Sequence, residues 1–136
     1  MTLLYGLTAA PASQPRNAVL GQFVSMTVSV ALSYAQGLDL WLKQCLAPAL
    51  AISIMTKLGI THPPGGASSI IFVDGTWGWG NMAFMIIANI AAVVMSALIN
   101  NVSTKRQYPS YWTGGYDKAV AKHTTKMFKG QKTSSD

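Results

Sequence analysis

Few side chains in this sequence can do covalent chemistry. There are two histidines, His62 and His123, one cysteine, Cys45, and four acids, Asp39, Asp74, Asp117 and Asp136, with no glutamate. A nucleophile needs an adjacent base, and the base needs a group that orients it. The sequence offers no such pairing, no paired carboxylates and no phosphate-binding loop, so no enzyme and no catalytic residue is expected. A single cysteine excludes an internal disulfide and a multi-cysteine metal site. The apolar neighbours of Cys45 predict a small buried filler.

His62 lies in the most unusual stretch, "GITHPPGGASSIIFV" at 59–73. Proline removes a backbone donor and fixes φ, and glycine loosens what remains. The setting makes this break expensive. Half of the 136 residues are hydrophobic and 10% are charged, against about 25% in an ordinary soluble domain. Lipid is therefore the expected solvent. In hydrocarbon every backbone N–H and C=O must be paired, so irregular backbone persists only where protein covers it or where it lines a wet cavity.

"GGASSIIFV" predicts a half-helix of roughly 13 Å. Its N-terminus would face the protein with free N–H groups and the positive end of a dipole, which favours an anion. Ser68 and Ser69 add hydroxyls, and His62 adds a ring that donates or accepts. Gly66 is expected to give the closest approach of backbone to solute. The plainer reading of Pro-Pro-Gly-Gly is a surface loop between two helices.

Three stretches must position this break. Asn17–Leu38 carries no charge and is long enough to span a bilayer, which takes roughly 20 residues. Gly21, Ser25, Ser29 and Ser33 recur every fourth position along it, a stripe suited to close helix packing. Leu40–Leu58 forms the second span. Lys43 and Lys57 reach the headgroups at its ends, Trp41 sits at the interface and Pro48 lies inside. "DGTWGWGNM" reads as an interfacial turn with aromatic anchors. Met82–Ile99 is the third and clearest span.

Beyond it polarity rises. Residues 1–104 form a membrane domain and 105–136 a basic tail, placed on the cytoplasmic or stromal side by its lysines. Lys118, Lys122, Lys126 and Lys129 share one helical face. They suit a membrane or partner surface, or simple solvation. No groove-reading motif accompanies the charge, so no nucleic-acid partner is expected. Asn101-Val-Ser103 matches a glycosylation sequon by chance.

The N-terminal part repeats the design of the second half. "MTLLYG", an irregular segment and a span are followed later by "SSIIFV", an irregular segment and a span. Paired short apolar segments of this kind point to a transporter's central site. The matching residues in the first half are Gln14, Arg16 and Asn17. Whether 59–73 crosses or re-enters is left open by composition, although the distribution of lysines favours crossing.

"QPRNAVLGQ" at 14–22, "THPPGGASS" at 61–69 and "NNVSTKRQYPSYW" at 100–112 together resemble the HPP family of integral membrane proteins. The resemblance implies about four membrane helices, of which the first, with its glycine-rich turn, would precede "MTLLYG" and is missing here. The expected fold is all-α, with three full transmembrane helices and short broken or re-entrant half-helices. Some plastid members resemble nitrite carriers.

Two functions follow. The first is a carrier of a small inorganic anion such as nitrite, lined by His62, Gly65, Gly66, Ala67, Ser68 and Ser69, with Gln14, Arg16 and Asn17. The second is a non-catalytic accessory subunit of a larger membrane complex, for example a plastid thylakoid photosystem assembly. In that setting a pigment on His62 or His123 is conceivable. Otherwise lipid is the one expected companion, and no cofactor is required. The stripe Gly21, Ser25, Ser29, Ser33 would then receive a helix of another chain or of a missing N-terminal segment. Expected partners are lipid, a small anion, and other membrane chains or further copies of this one. The expected location is a plastid membrane, thylakoid or envelope, or a bacterial-type inner membrane.

Overall fold

A computed structural model describes residues 2–102 and 108–111. The described residues are helical, with no strand among them. Five α-helices follow in chain order: α1 (Thr2–Gly6), α2 (Pro15–Ser33), α3 (Leu40–Lys57), α4 (Pro63–Phe72) and α5 (Trp79–Asn101). A single 3-10 turn at Pro11–Ser13 precedes α2. The tail lysines Lys118, Lys122, Lys126 and Lys129, together with His123, lie outside the described residues.

Prolines set several helix starts. Pro15 opens α2, and Pro63 and Pro64 open α4. A proline in the first turn loses nothing, because its missing N–H would have had no helical partner there. The prolines at 63 and 64 therefore begin the half-helix rather than precede it. α2 ends at Ser33, earlier than its uncharged run suggests. Gly37, at φ +79°, turns the chain beyond it. Lys43 Nζ donates to the Ser33 carbonyl at 3.0 Å, placing a cation at the negative end of α2.

α2 is the central element and packs against α3, α4 and α5. Met26 and Val30 of α2 bury with Phe72 of α4 and Met82 of α5. Ala51 and Met55 of α3 bury with Ile60. Leu4, Ala18, Ala92, Val93 and Tyr108 form a third cluster, towards the end of α5. Because Ala47, Ala51 and Met55 take the inward face of α3, Cys45 is exposed. The buried filler expected there is corrected to an outward-facing thiol.

α4 has 10 residues, a length of about 15 Å, half the roughly 30 Å hydrocarbon core. Its start lies beside Gly21 and Ser25, and the turn after it lies beside Ser33. It thus runs alongside the second half of α2, in the same direction. The turn 73–78 is closed by Asp74, whose Oδ1 accepts from the Thr76 amide at 2.9 Å and hydroxyl at 2.8 Å.

Among the described residues, α5 alone is both long and apolar enough to cross a membrane. It leaves Phe84, Ile87, Ile90, Val94, Leu98 and Ile99 exposed. α2 and α3 have comparable lengths, 19 and 18 residues. The expectation of three full spans is met in length by three helices and in apolarity by one. α2 carries inward-facing amides and hydroxyls, and α3 carries Lys43 and Lys57.

Candidate functional site

Where α4 begins, it leaves a cavity of about 310 Å³ against α1, α2 and α5. The polar side chains that line it are Gln22, His62, Ser68 and Asn89, and the rest of the wall is Leu3, Leu4, Pro64, Met85 and Ala88. Four separate elements supply these groups, so the cavity exists only in the folded chain.

His62 is the residue before α4, with extended backbone, and its side chain is 4% exposed. Its Nδ1 donates to the Ala12 carbonyl at 2.8 Å. A carbonyl can only accept, so this bond fixes the proton on Nδ1. In the neutral ring Nε2 is then the acceptor. One turn into α4, Ser68 Oγ accepts from Gln22 Nε2 and donates to the Pro64 carbonyl at 3.3 Å. Asn89 Nδ2 donates to the Ala18 carbonyl at 2.8 Å. That bond ties α5 to α2 at the level of the cavity and fixes which end of the amide is nitrogen.

The stripe on α2 makes this approach possible. Gly21 faces His62 and Ile60, and Ser25 Oγ donates to the Gly65 carbonyl. Ser29 Oγ returns to the Ser25 carbonyl at 2.9 Å and Ser33 Oγ to the Val30 carbonyl at 2.7 Å. The stripe is covered by this chain's own α4 and by the loop before it. The expected foreign helix is corrected accordingly: small residues admit the broken helix, whose glycine backbone needs the same closeness.

The expected lining divides. His62 and Ser68 face the cavity. Gly65 is buried against Ser25 and Gly21. Gly66 is half-buried beside Ile52, where a Cβ would have 3.5 Å of room, and the tightest contacts between helices are at Gly21 and Gly65. Ala67 is exposed. Ser69 is buried and bonds the Gly66 carbonyl of its own helix at 2.6 Å.

The first-half residues stay outside the cavity lining. Gln14 Nε2 donates to the Thr8 carbonyl at 2.8 Å, and its Oε1 accepts from the Ser110 amide at 2.9 Å. Arg16 is half-buried and Asn17 buried in the first turn of α2. The N-terminal segment contributes a carbonyl, that of Ala12, rather than its side chains. Gln22 and Asn89 were not singled out by the sequence. A lone amide in an apolar helix carries no signal until its neighbours from other helices are known.

The segment 12–14 is a junction. Ala12 holds His62, the Ser13 carbonyl accepts from Tyr108 Oη at 2.7 Å, and Gln14 holds Ser110. Asn101, the sequon residue, brackets Tyr108 from the other side: its Nδ2 donates to the Tyr108 carbonyl at 2.6 Å and its Oδ1 accepts the Tyr108 amide at 3.0 Å. Burial pushes the Tyr108 phenol up to about 12.

Residues 1–109 match the HPP transmembrane-region family. The chain belongs to the HPP family of transmembrane proteins. Two curated transmembrane proteins of Dictyostelium discoideum are similar to this HPP chain, at 34% and 35% identity over 119 residues. Each alignment covers 81% of this chain, and 41% and 38% of those proteins. The HPP chain thus spans about two fifths of the length of the curated relatives it matches. No solved structure matches it.

Proposed function

We propose that this HPP chain carries a small inorganic anion, such as nitrite, across a plastid or bacterial-type inner membrane. The observation that carries this reading is the cavity at the start of α4. It is large enough for a small solute, apolar over most of its wall, and equipped with Gln22, His62, Ser68 and Asn89 from three helices and the loop before α4. Such concave sites with a few converging polar groups suit specific solute binding. The positive end of the α4 dipole points the same way.

In this reading α2, α3 and α5 cross the bilayer and α4 re-enters to half its depth. The basic tail stays on the cytoplasmic or stromal side. Lipid surrounds the exposed faces of α3 and α5, and the cavity works without a catalytic group or cofactor. The anion is not held as the sequence suggested, by a row of α4 amides. Pro63 and Pro64 have no N–H, and the Gly65 N–H is given to the His62 carbonyl at 2.9 Å. Side chains must do that work.

The test is nitrite uptake into vesicles containing the purified full chain. Uptake above that of protein-free vesicles is expected, with at least a tenfold loss in Asn89→Leu at equal protein incorporation. Uptake no faster than in protein-free vesicles would sink the reading.

A further inference from the structure

We infer that each anion enters this cavity together with one proton, held between the anion and Nε2 of His62. The inference rests on the anion-carrier reading and adds its coupling. An anion in a largely apolar cavity needs an opposite charge, because an unpaired buried charge costs several kcal/mol. Among the described residues, the lining contains one group able to supply it, His62.

Among the described residues, the elements around the ring contribute no other titratable side chain to the cavity. α1 gives Leu3 and Leu4, α2 gives Gln22, α4 gives Pro64 and Ser68, and α5 gives Met85, Ala88 and Asn89. Tyr5 on α1, Arg16 on α2, and Lys43, Cys45 and Lys57 on α3 are the titratable side chains on the packed helices, and all lie outside the lining. Burial of the ring disfavours an imidazolium standing without a counter-ion. The ring therefore gains its second proton with the anion and gives it up when the anion leaves.

The geometry leaves one place for that proton. Nδ1 already carries a hydrogen, donated to the Ala12 carbonyl at 2.8 Å. The added proton must sit on Nε2 or on the anion oxygen facing it. Either way one hydrogen bond joins the two and the pair is neutral. The Ala12 bond keeps the ring oriented in both states, so no side chain has to turn. Gln22 and Asn89 each keep one amide hydrogen beyond those already committed, which completes the shell around the anion.

Nitrite is the probe. Calorimetric titration of the purified chain in two buffers of different ionisation heat is expected to report one proton taken up per nitrite bound. In vesicles an acidic exterior should drive nitrite accumulation, about tenfold per pH unit at equilibrium. An imposed membrane potential without a pH gradient should leave uptake unchanged. His62→Gln keeps a donor for Ala12 but cannot take the charge; it should bind nitrite at least tenfold more weakly, with no dependence on pH.

Binding without proton uptake, or uptake that follows the membrane potential, would overturn the coupling and leave the anion-carrier reading standing. Absence of nitrite binding at every pH from acid to neutral would overturn both. The wild-type proton count stands on its own should His62→Gln fail to fold.

Discussion

Gly21 and His62 stand so close that a Cβ on the glycine would lie 2.6 Å from the Cβ of the histidine. The same atom would lie 2.7 Å from the Ile60 carbonyl oxygen. The ring reaches the cavity because α2 has no side chain at that point.

The three glycines around the break should therefore rank in a definite order. Gly21→Ala meets backbone and should cost about 1–3 kcal/mol, the usual penalty of overpacking, or more. At Gly65 a Cβ would meet Ser25 Cβ at 3.1 Å, and the cost should be smaller. Gly66→Ala has room and should be neutral or stabilising, by up to about 1 kcal/mol of helix propensity. Thermal unfolding in mild detergent measures all three. Equal losses at Gly66 and Gly21 would contradict this packing.

Tyr108→Phe removes the donor to the Ser13 carbonyl and leaves that oxygen buried. A loss of about 1–3 kcal/mol is expected. The parent chain should also weaken in alkali. Its phenol ionises at about 12 in the fold and near 10 in the unfolded chain. The stabilisation is complete below pH 10 and is lost as pH rises from 10 to 12. Stability curves of the two proteins should converge over that window; parallel curves would show that the phenol is not buried.

Leu4 is held by α5. Its carbonyl accepts from Ser96 Oγ at 2.7 Å and from Asn100 Nδ2 at 3.2 Å. Asn100→Leu should release α1 while leaving α2 to α5 in place. Backbone hydrogen exchange should then rise at residues 2–6 and stay unchanged at 63–72. Protection that falls equally in both segments would mean that α1 is not a separate unit.

Cys45 reports on whether α3 crosses. If α3 crosses as proposed, its outward thiol should resist a membrane-impermeant maleimide in intact membranes and react fully in denaturing detergent. Rapid labelling before solubilisation would place that face of α3 in water.

Part of this was legible in the residues. The Pro-Pro-Gly-Gly break announces irregular backbone, and a chain with few charges makes that break costly unless it is enclosed. Gly21, Ser25, Ser29 and Ser33 announce close packing through their four-residue period. What covers the stripe was not legible, because small residues admit any close neighbour, and the neighbour here comes from 40 residues further on. Gly65 and Gly66 were not told apart, because glycine type alone does not say which of two adjacent glycines faces the partner helix. Gln22 and Asn89 were illegible for the same reason: their meaning lies in convergence across helices. Arg16 drew attention by its charge, yet Ala12, an unremarkable residue, makes the bond that sets the ring of His62.

The junction at 12–14 also fixes an order of assembly. Ser13 and Tyr108 are 95 residues apart along the chain, and Gln14 and Ser110 are 96 apart. The contacts between α2 and α4 span only 40 to 46 residues. Long closures cost more chain entropy than short ones and form later. During synthesis the segment holding Ala12 emerges far ahead of the groups that anchor its neighbours. The bond from the His62 ring to the Ala12 carbonyl spans 50 residues and closes on the same scale as the α2–α4 contacts, whereas the anchors of Ser13 and Gln14 wait until α5 and the segment beyond it are in place.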